Sequence, residues 1–230
     1  MNNKELLVIP RLTKSLLAGF VVLAAACARR PPVLSPPPSV LEAVEGYGSA
    51  SVQGEEAVVK GKFSFVFRRP GLGRVAAIDP LGRTMYTVIF RDGRAVFIIP
   101  SKKAYVEGSP DAMMERFLGF SLLPDEVIEL LGGRWAAEGA AAGGAWSVEK
   151  DTQGRVVHGA RGEVGFTVAQ FFSGADVPRE VVFSKPGTLA RVKVLSLRFN
   201  PPERPDLFDV PDLSRYARKT WDELRDEGAT

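Results

Sequence analysis

The stretch KGKFSFVFRR, residues 60–69, puts a phenylalanine at every second position, 63, 65 and 67, with Lys62, Ser64 and Arg68 in alternation. Successive side chains of a strand point to opposite faces, so this pattern makes one dry and one wet face and does not fit a helical stripe. The same period recurs over 47–53, 73–79, 84–91 and 94–99, and later over 145–149, 155–160, 163–171, 179–184 and 189–199. Turn sequences separate these segments: RDGR around Asp92 and Gly93, DTQGR at 151–155 and SKPGT at 184–188. Short turns make consecutive strands antiparallel neighbours, and about ten strands in one sheet must curl. The expected fold is mainly β, an open antiparallel half-barrel of about ten or eleven strands with short helices covering the concave face.

One turn is unusual. In AAIDPLGRTMY, residues 76–86, Pro80 presets the first central dihedral and Gly82 tolerates the exit position, which leaves Leu81 at the tip. A lone exposed leucine carries meaning only where the chain gives it something apolar to touch.

Two helices interrupt the strands. Ser109 caps a segment with Pro110 at its first position, Met113, Met114, Phe117 and Leu118 on its buried stripe, and Gly119 at its end. A second begins at Pro124, turns Val127, Ile128 and Leu131 inward and stops at Gly132 and Gly133. A third is expected over roughly 212–226, beyond RPDLFDVP, as a charge-rich, solvated appendage.

The N-terminus reads as an export signal. Lys4, Arg11 and Lys14 precede the uncharged run SLLAGFVVLAAA, residues 15–26, which is too short for the roughly twenty residues that span a bilayer. Two units of the chain's net charge of +3 reside in residues 1–26, so the remainder carries no nucleic-acid footprint. Cys27, the only cysteine, follows at once, and LAAAC resembles the bacterial lipobox, although Ala24 stands where leucine is usual and Leu23 lies one place earlier. The resemblance implies cleavage before Cys27 and acylation of its thiol and amine; the alternative is an ordinary secretory signal with a chance cysteine. Ala28 in place of aspartate implies, by analogy with other bacterial lipoproteins, sorting to the outer membrane. Residues 28–40, ARRPPVLSPPPSV, form a proline-rich tether that reaches about 40 Å at roughly 3.1 Å per residue. The expected organisation is a signal peptide over 1–26, an acylated cysteine and linker over 27–45, a half-barrel over 46–211 and a helical tail over 212–230.

No catalytic constellation emerges. One cysteine and one histidine exclude an intramolecular disulfide and a Cys/His zinc set. GLGRVA, residues 71–76, fits a loose dinucleotide fingerprint but runs into an alternating strand instead of a helix. His158 lies in a hairpin arm, GRVVHGARG, and Asp125, Glu126 and Glu129 fall in the first turns of a helix, where acids compensate the dipole. The expectation is a protein that is not an enzyme and needs no cofactor or metal.

Taken in order, GSASV (48–52), FSFVF (63–67), DPLG (79–82), DAMMERFLGFSLLP (111–124) and VIELLGG (127–133) resemble the LolB family of outer-membrane lipoprotein receptors and the related LolA carriers. The similarity runs from about Gly48 to Trp135. It implies an open half-barrel whose concave face takes the acyl chains of lipoproteins, and a protruding turn leucine that helps place cargo in the membrane. Leu81 occupies that position. On this resemblance Phe63, Phe65 and Phe67 line the cavity, Met113, Met114, Phe117 and Leu118 lid it, and Cys27 carries the anchor. The implied partners are a periplasmic LolA-like carrier, lipoprotein acyl chains and outer-membrane lipid, met by a monomer on the periplasmic face of the outer membrane. Beyond Trp135 the pattern departs: EGAAAGGAW and the ending FNPPERPDLFDVP look more like other carrier-fold lipoproteins. A module that binds another lipid or an envelope protein therefore stays open as the second expectation.

Overall fold

The computed structural model of the chain describes residues 34–54, 58–135 and 145–226. The export segment, Cys27 and the first part of the proline-rich linker lie outside the described residues.

Six strands come first: β1 (Ala43–Gln53), β2 (Val58–Arg68), β3 (Leu72–Ile78), β4 (Thr84–Arg91), β5 (Arg94–Ile99) and β6 (Ala104–Gly108). The helices α1 (Pro110–Leu118) and α2 (Pro124–Gly132) follow. The second half supplies β7 (Ser147–Lys150), β8 (Val156–Arg161), β9 (Val164–Phe171), β10 (Pro178–Lys185), β11 (Thr188–Phe199), the short β12 (Ala217–Arg218) and α3 (Trp221–Asp226). Among the described residues these strands form one sheet in the order β12-β6-β5-β4-β3-β2-β1-β11-β10-β9-β8-β7. Two antiparallel meanders meet where β1 pairs with β11, and the terminal strands β12 and β7 do not pair with each other, so the sheet is open. This is the expected half-barrel, with twelve strands.

Local chemistry explains the elements. At the β4–β5 hairpin Asp92 (φ 53°) and Gly93 (φ 70°) are both left-handed, as a two-residue turn matching strand twist requires. Ser109 Oγ accepts from the Ala112 N–H at 3.3 Å to start α1, and Gly119 closes it in the left-handed region. In α2 the Glu126 carboxylate reaches back to the Leu123 N–H at 2.9 Å.

The C-terminal segment differs from expectation. Among the described residues of this segment, helix is confined to Trp221–Asp226, and the residues before it wrap the sheet edge. Leu213 and Tyr216 pack on Ile89, Val96 and Ile98 on the convex face. Ala217 then donates to the Lys103 carbonyl at 2.8 Å and Lys219 to the Tyr105 carbonyl at 2.9 Å, adding β12 parallel to β6. Past that edge Trp221 reaches Phe97, on the opposite face, with ring centroids 5.1 Å apart. Instead of a solvated appendage, the segment is a strap that occupies the open groups of β6.

The candidate site: an apolar cavity under two helices

The cavity follows from how rings sit on the concave face. Phe63 is registered opposite Gly48, Phe65 opposite Gly46 and Phe67 opposite Gly73. A Cβ on Gly46 would stand 2.6 Å from Phe65 Cζ, one on Gly48 2.9 Å from Phe63 Cζ, and one on Gly73 2.8 Å from Phe67 Cδ1. Each ring thus lies over a neighbouring strand at a place where that strand has no side chain. The row continues at centroid spacings of 5.9 Å for Phe63–Phe65, 6.0 Å for Phe65–Phe67 and 6.4 Å for Phe67–Phe90.

Above this floor lies a cavity of about 270 Å³. Phe63, Phe65 and Phe67 form part of its lining, Met114, Phe117 and Leu118 of α1 lie against it, and Val127, Leu130 and Leu131 line it from α2. Met113 is 1 % exposed and packs in the core without lining the cavity. Tyr86, Val88, Phe90, Leu122 and Phe183 also line it. The first three share one face of TMYTVIFR and are readable from its alternation; Leu122 and Phe183 require the tertiary register. Burial drives the Tyr86 phenol above its ordinary value.

Polar groups hold one covering helix in place and apolar contacts the other. Arg161, at the end of β8, donates to Glu126 Oε1 at 2.7 Å and to the Ser121 carbonyl at 2.6 Å, and lies 4.6 Å from the Trp146 ring. The Gly71 N–H donates to Asp125 Oδ1 at 2.9 Å, and Arg69 pairs with Glu129. These acids therefore tie α2 to the sheet. Helix α1 is held by apolar contact: Phe117 stacks on Tyr86 at 5.5 Å and meets Phe97 at 4.9 Å and Trp221 at 5.8 Å. Lys185 reaches Glu115 at 3.4 Å across the helix end.

Leu81 is 78 % exposed at the β3–β4 turn. Asp79 builds that turn: its Oδ1 accepts from the Leu81 and Arg83 N–H groups at 2.9 and 2.8 Å, and Arg83 Nε donates to Oδ2 at 2.7 Å. Hydrogen bonds from the Arg83 backbone and side chain hold the Asp79 carboxyl below its usual range. Ile78 and the exposed Met85, which flank the turn, line the cavity, so Leu81 stands at one end of the hollow. His158 Nδ1 lies 3.3 Å from Thr167 Oγ1 on the adjoining strand. Among the described residues no cluster of His, Cys, Asp and Glu could hold a metal ion.

No family model matches the chain, and no curated protein matches it. Solved structures do. A DUF1329 family protein from Desulfovibrio piger superposes with a TM-score of 0.54 at 8% identity, over 76% of this chain and 93% of that one. A domain assigned to outer membrane lipoprotein sorting from Vibrio parahaemolyticus gives 0.53 at 11% identity, over 76% and 92%. A LolA superfamily protein from Nitrosomonas europaea gives 0.49 at 8% identity, over 74% and 91%. The likeness is one of fold: over most of its length this chain shares the fold of the DUF1329 protein and of the Vibrio domain.

Proposed function

We propose that the protein is an outer-membrane-anchored lipoprotein that takes acyl chains of other lipoproteins into its concave cavity and helps insert them into the outer membrane. The observation that carries this reading is an almost wholly apolar hollow of about 270 Å³ with an exposed leucine at one end. A hydrocarbon chain moving between such a cavity and a bilayer exchanges one apolar environment for another, so no covalent step or cofactor is needed. Burying the Leu81 side chain in lipid contributes about 1.5–3 kcal/mol, too little to anchor a domain and enough to orient one already tethered at Cys27. The donor in this scheme is a periplasmic LolA-like carrier. The lipoprotein-sorting assignment of the Vibrio domain is in line with an envelope location on the periplasmic face.

Native mass spectrometry of the full-length protein taken from its own membrane reads the occupant. Acylated peptide supports lipoprotein transfer. Phospholipid in its place redirects the reading to a carrier-fold module for another lipid, and an empty cavity under gentle extraction overturns lipid handling. Leu81→Glu tests the second half: it is expected to leave folding and cargo binding intact and to abolish delivery to vesicles, whereas delivery at the normal rate removes Leu81 from the mechanism.

A further inference from the structure

The ring-over-glycine series along β2 breaks at one position. Phe67 and Phe65 are 4 % and 3 % exposed, Phe63 is half-buried, and the next residue on the same face, Gly61, is exposed. Its partner across the β1–β2 ladder is Ala50, and Ala50 in turn faces Val192 on β11. A Cβ built on Gly61 meets nothing within 4 Å, unlike those on Gly46, Gly48 and Gly73. Gly61, Ala50 and Val192 all line the cavity. The hollow is therefore a slot, floored by packed rings at the Phe67–Phe90 end and open where two small residues stand side by side. With strands about 4.8 Å apart and same-face residues about 7 Å apart along a strand, the floor cleared there accommodates one extended alkyl chain.

Resting on the reading that the cavity holds hydrocarbon, we infer that the Gly61–Ala50 gap is its entry port and that the port selects a linear, unbranched acyl chain, inserted end first toward Phe67 and Phe90. The argument is steric. From Phe63 to Phe67 each residue on this face of β2 carries a ring that covers the adjoining strand, so a chain enters where no ring stands and then lies over the rings. The port lies at the same end of the sheet as Ile78, Met85 and the Leu81 turn, because the C-terminal ends of β1 and β3 and the start of β2 meet there. A chain leaving the bilayer beside Leu81 then enters without crossing the strongly hydrated outer face.

The test uses the full-length protein in phospholipid nanodiscs with a photoactivatable, alkyne-tagged palmitic acid as probe, adducts being mapped by peptide mass spectrometry. The wild-type protein is expected to carry adducts on the β2 and β4 peptides that contain Phe65 and Phe90. Gly61→Phe is expected to cut those adducts at least tenfold with the melting temperature unchanged within a few degrees, and Ala50→Leu to lower them in the same direction from the opposite strand. Ser64→Phe, which places an equal ring on the other face of the same strand at a residue that does not line the cavity, is expected to label like the wild type. Wild-type protein without cavity adducts overturns the lipid-binding reading itself. Normal labelling of Gly61→Phe, or equal loss in Ser64→Phe, overturns the port while leaving that reading intact. Unfolding of both Gly61→Phe and Ala50→Leu also overturns it, since a side chain entering open space does not unfold a sheet.

Discussion

The Phe63 ring fills the space that a Cβ on Gly48 would need, its Cζ lying 2.9 Å from where that carbon would stand. The same relation joins Phe65 to Gly46, but with a difference that decides energetics. At Gly46 the added carbon would also come within 2.4 Å of the Ser196 backbone oxygen, which cannot swing aside. At Gly48 the nearest backbone oxygen, that of Lys193, stands back at 3.0 Å, and the half-buried Phe63 ring can move. Gly46→Ala is expected to cost about 1–3 kcal/mol and Gly48→Ala less than about 1.5 kcal/mol. Chemical denaturation checks the order; equal costs would show that the Ser196 oxygen is not what sets the two sites apart. Gly48→Ala should also weaken probe binding in the folded protein, because it drives the Phe63 ring up into the hollow.

The turn at 79–83 has a counterpart. Asp151 accepts from the Gln153 and Arg155 N–H groups at 2.9 and 3.0 Å and pairs with Arg155, repeating the Asp79 arrangement bond for bond. Where the first turn carries Leu81, the second carries Gln153. Geometry therefore does not demand the leucine. Leu81→Gln is expected to shift stability by no more than about 0.5 kcal/mol. Vesicle delivery should fall sharply in the same variant; a large stability loss would show Leu81 to be structural.

Both turn aspartates titrate below their ordinary value of 3.8, Asp79 chiefly through the Arg83 backbone hydrogen bond and Asp151 chiefly through the Arg155 side chain. A depressed carboxyl stabilises the fold above its ordinary range, and that contribution is lost as pH falls through the lower folded value. The two turns are therefore expected to hold at neutral pH and to loosen only in strong acid. The Leu81 and Gln153 amide resonances, whose protons the carboxylates accept, should report midpoints under 3.8. A midpoint at or above that value would mean that the arginines do not hold the turns in solution.

What the sequence disclosed and what it hid have distinct physical causes. Alternation in FSFVF fixes a face whatever the register, and the D-P-L-G and capping signals are local, so the floor, the Leu81 tip and both covering helices were legible. The five-residue β6 is too short for a period to show, and a two-residue parallel strand such as β12 has none. The charges between 212 and 226 read as a solvated helix because Leu213, Tyr216 and Trp221 anchor at three different places, two on the convex face and one on the other. Gly46, Gly48 and Gly73 look like weak strand positions until pairing shows which ring each one admits. Met113 and Met114 are neighbours in sequence and equally apolar, yet only Met114 reaches the cavity.

The strap at the C-terminus yields the last prediction. Helix α2 is tied to the sheet by Arg161 and Arg69, but α1 depends on Phe117, which is covered by Trp221 at 5.8 Å, and the Arg116 guanidinium lies 5.4 Å from that indole. Removing the indole from its half-buried site takes apolar cover from Phe97 and Phe117 together. Trp221→Ala is expected to cost about 1.5–3 kcal/mol, and Trp221→Phe distinctly less. Because the loss falls on one helix, hydrogen exchange should quicken across Pro110–Leu118 while Pro124–Gly132 keeps its protection. Release of the photoactivatable palmitic acid should quicken in parallel, since Met114, Phe117 and Leu118 are the α1 residues facing the cavity. Equal loosening of both helices would mean that the strap stabilises the sheet as a whole instead of latching α1.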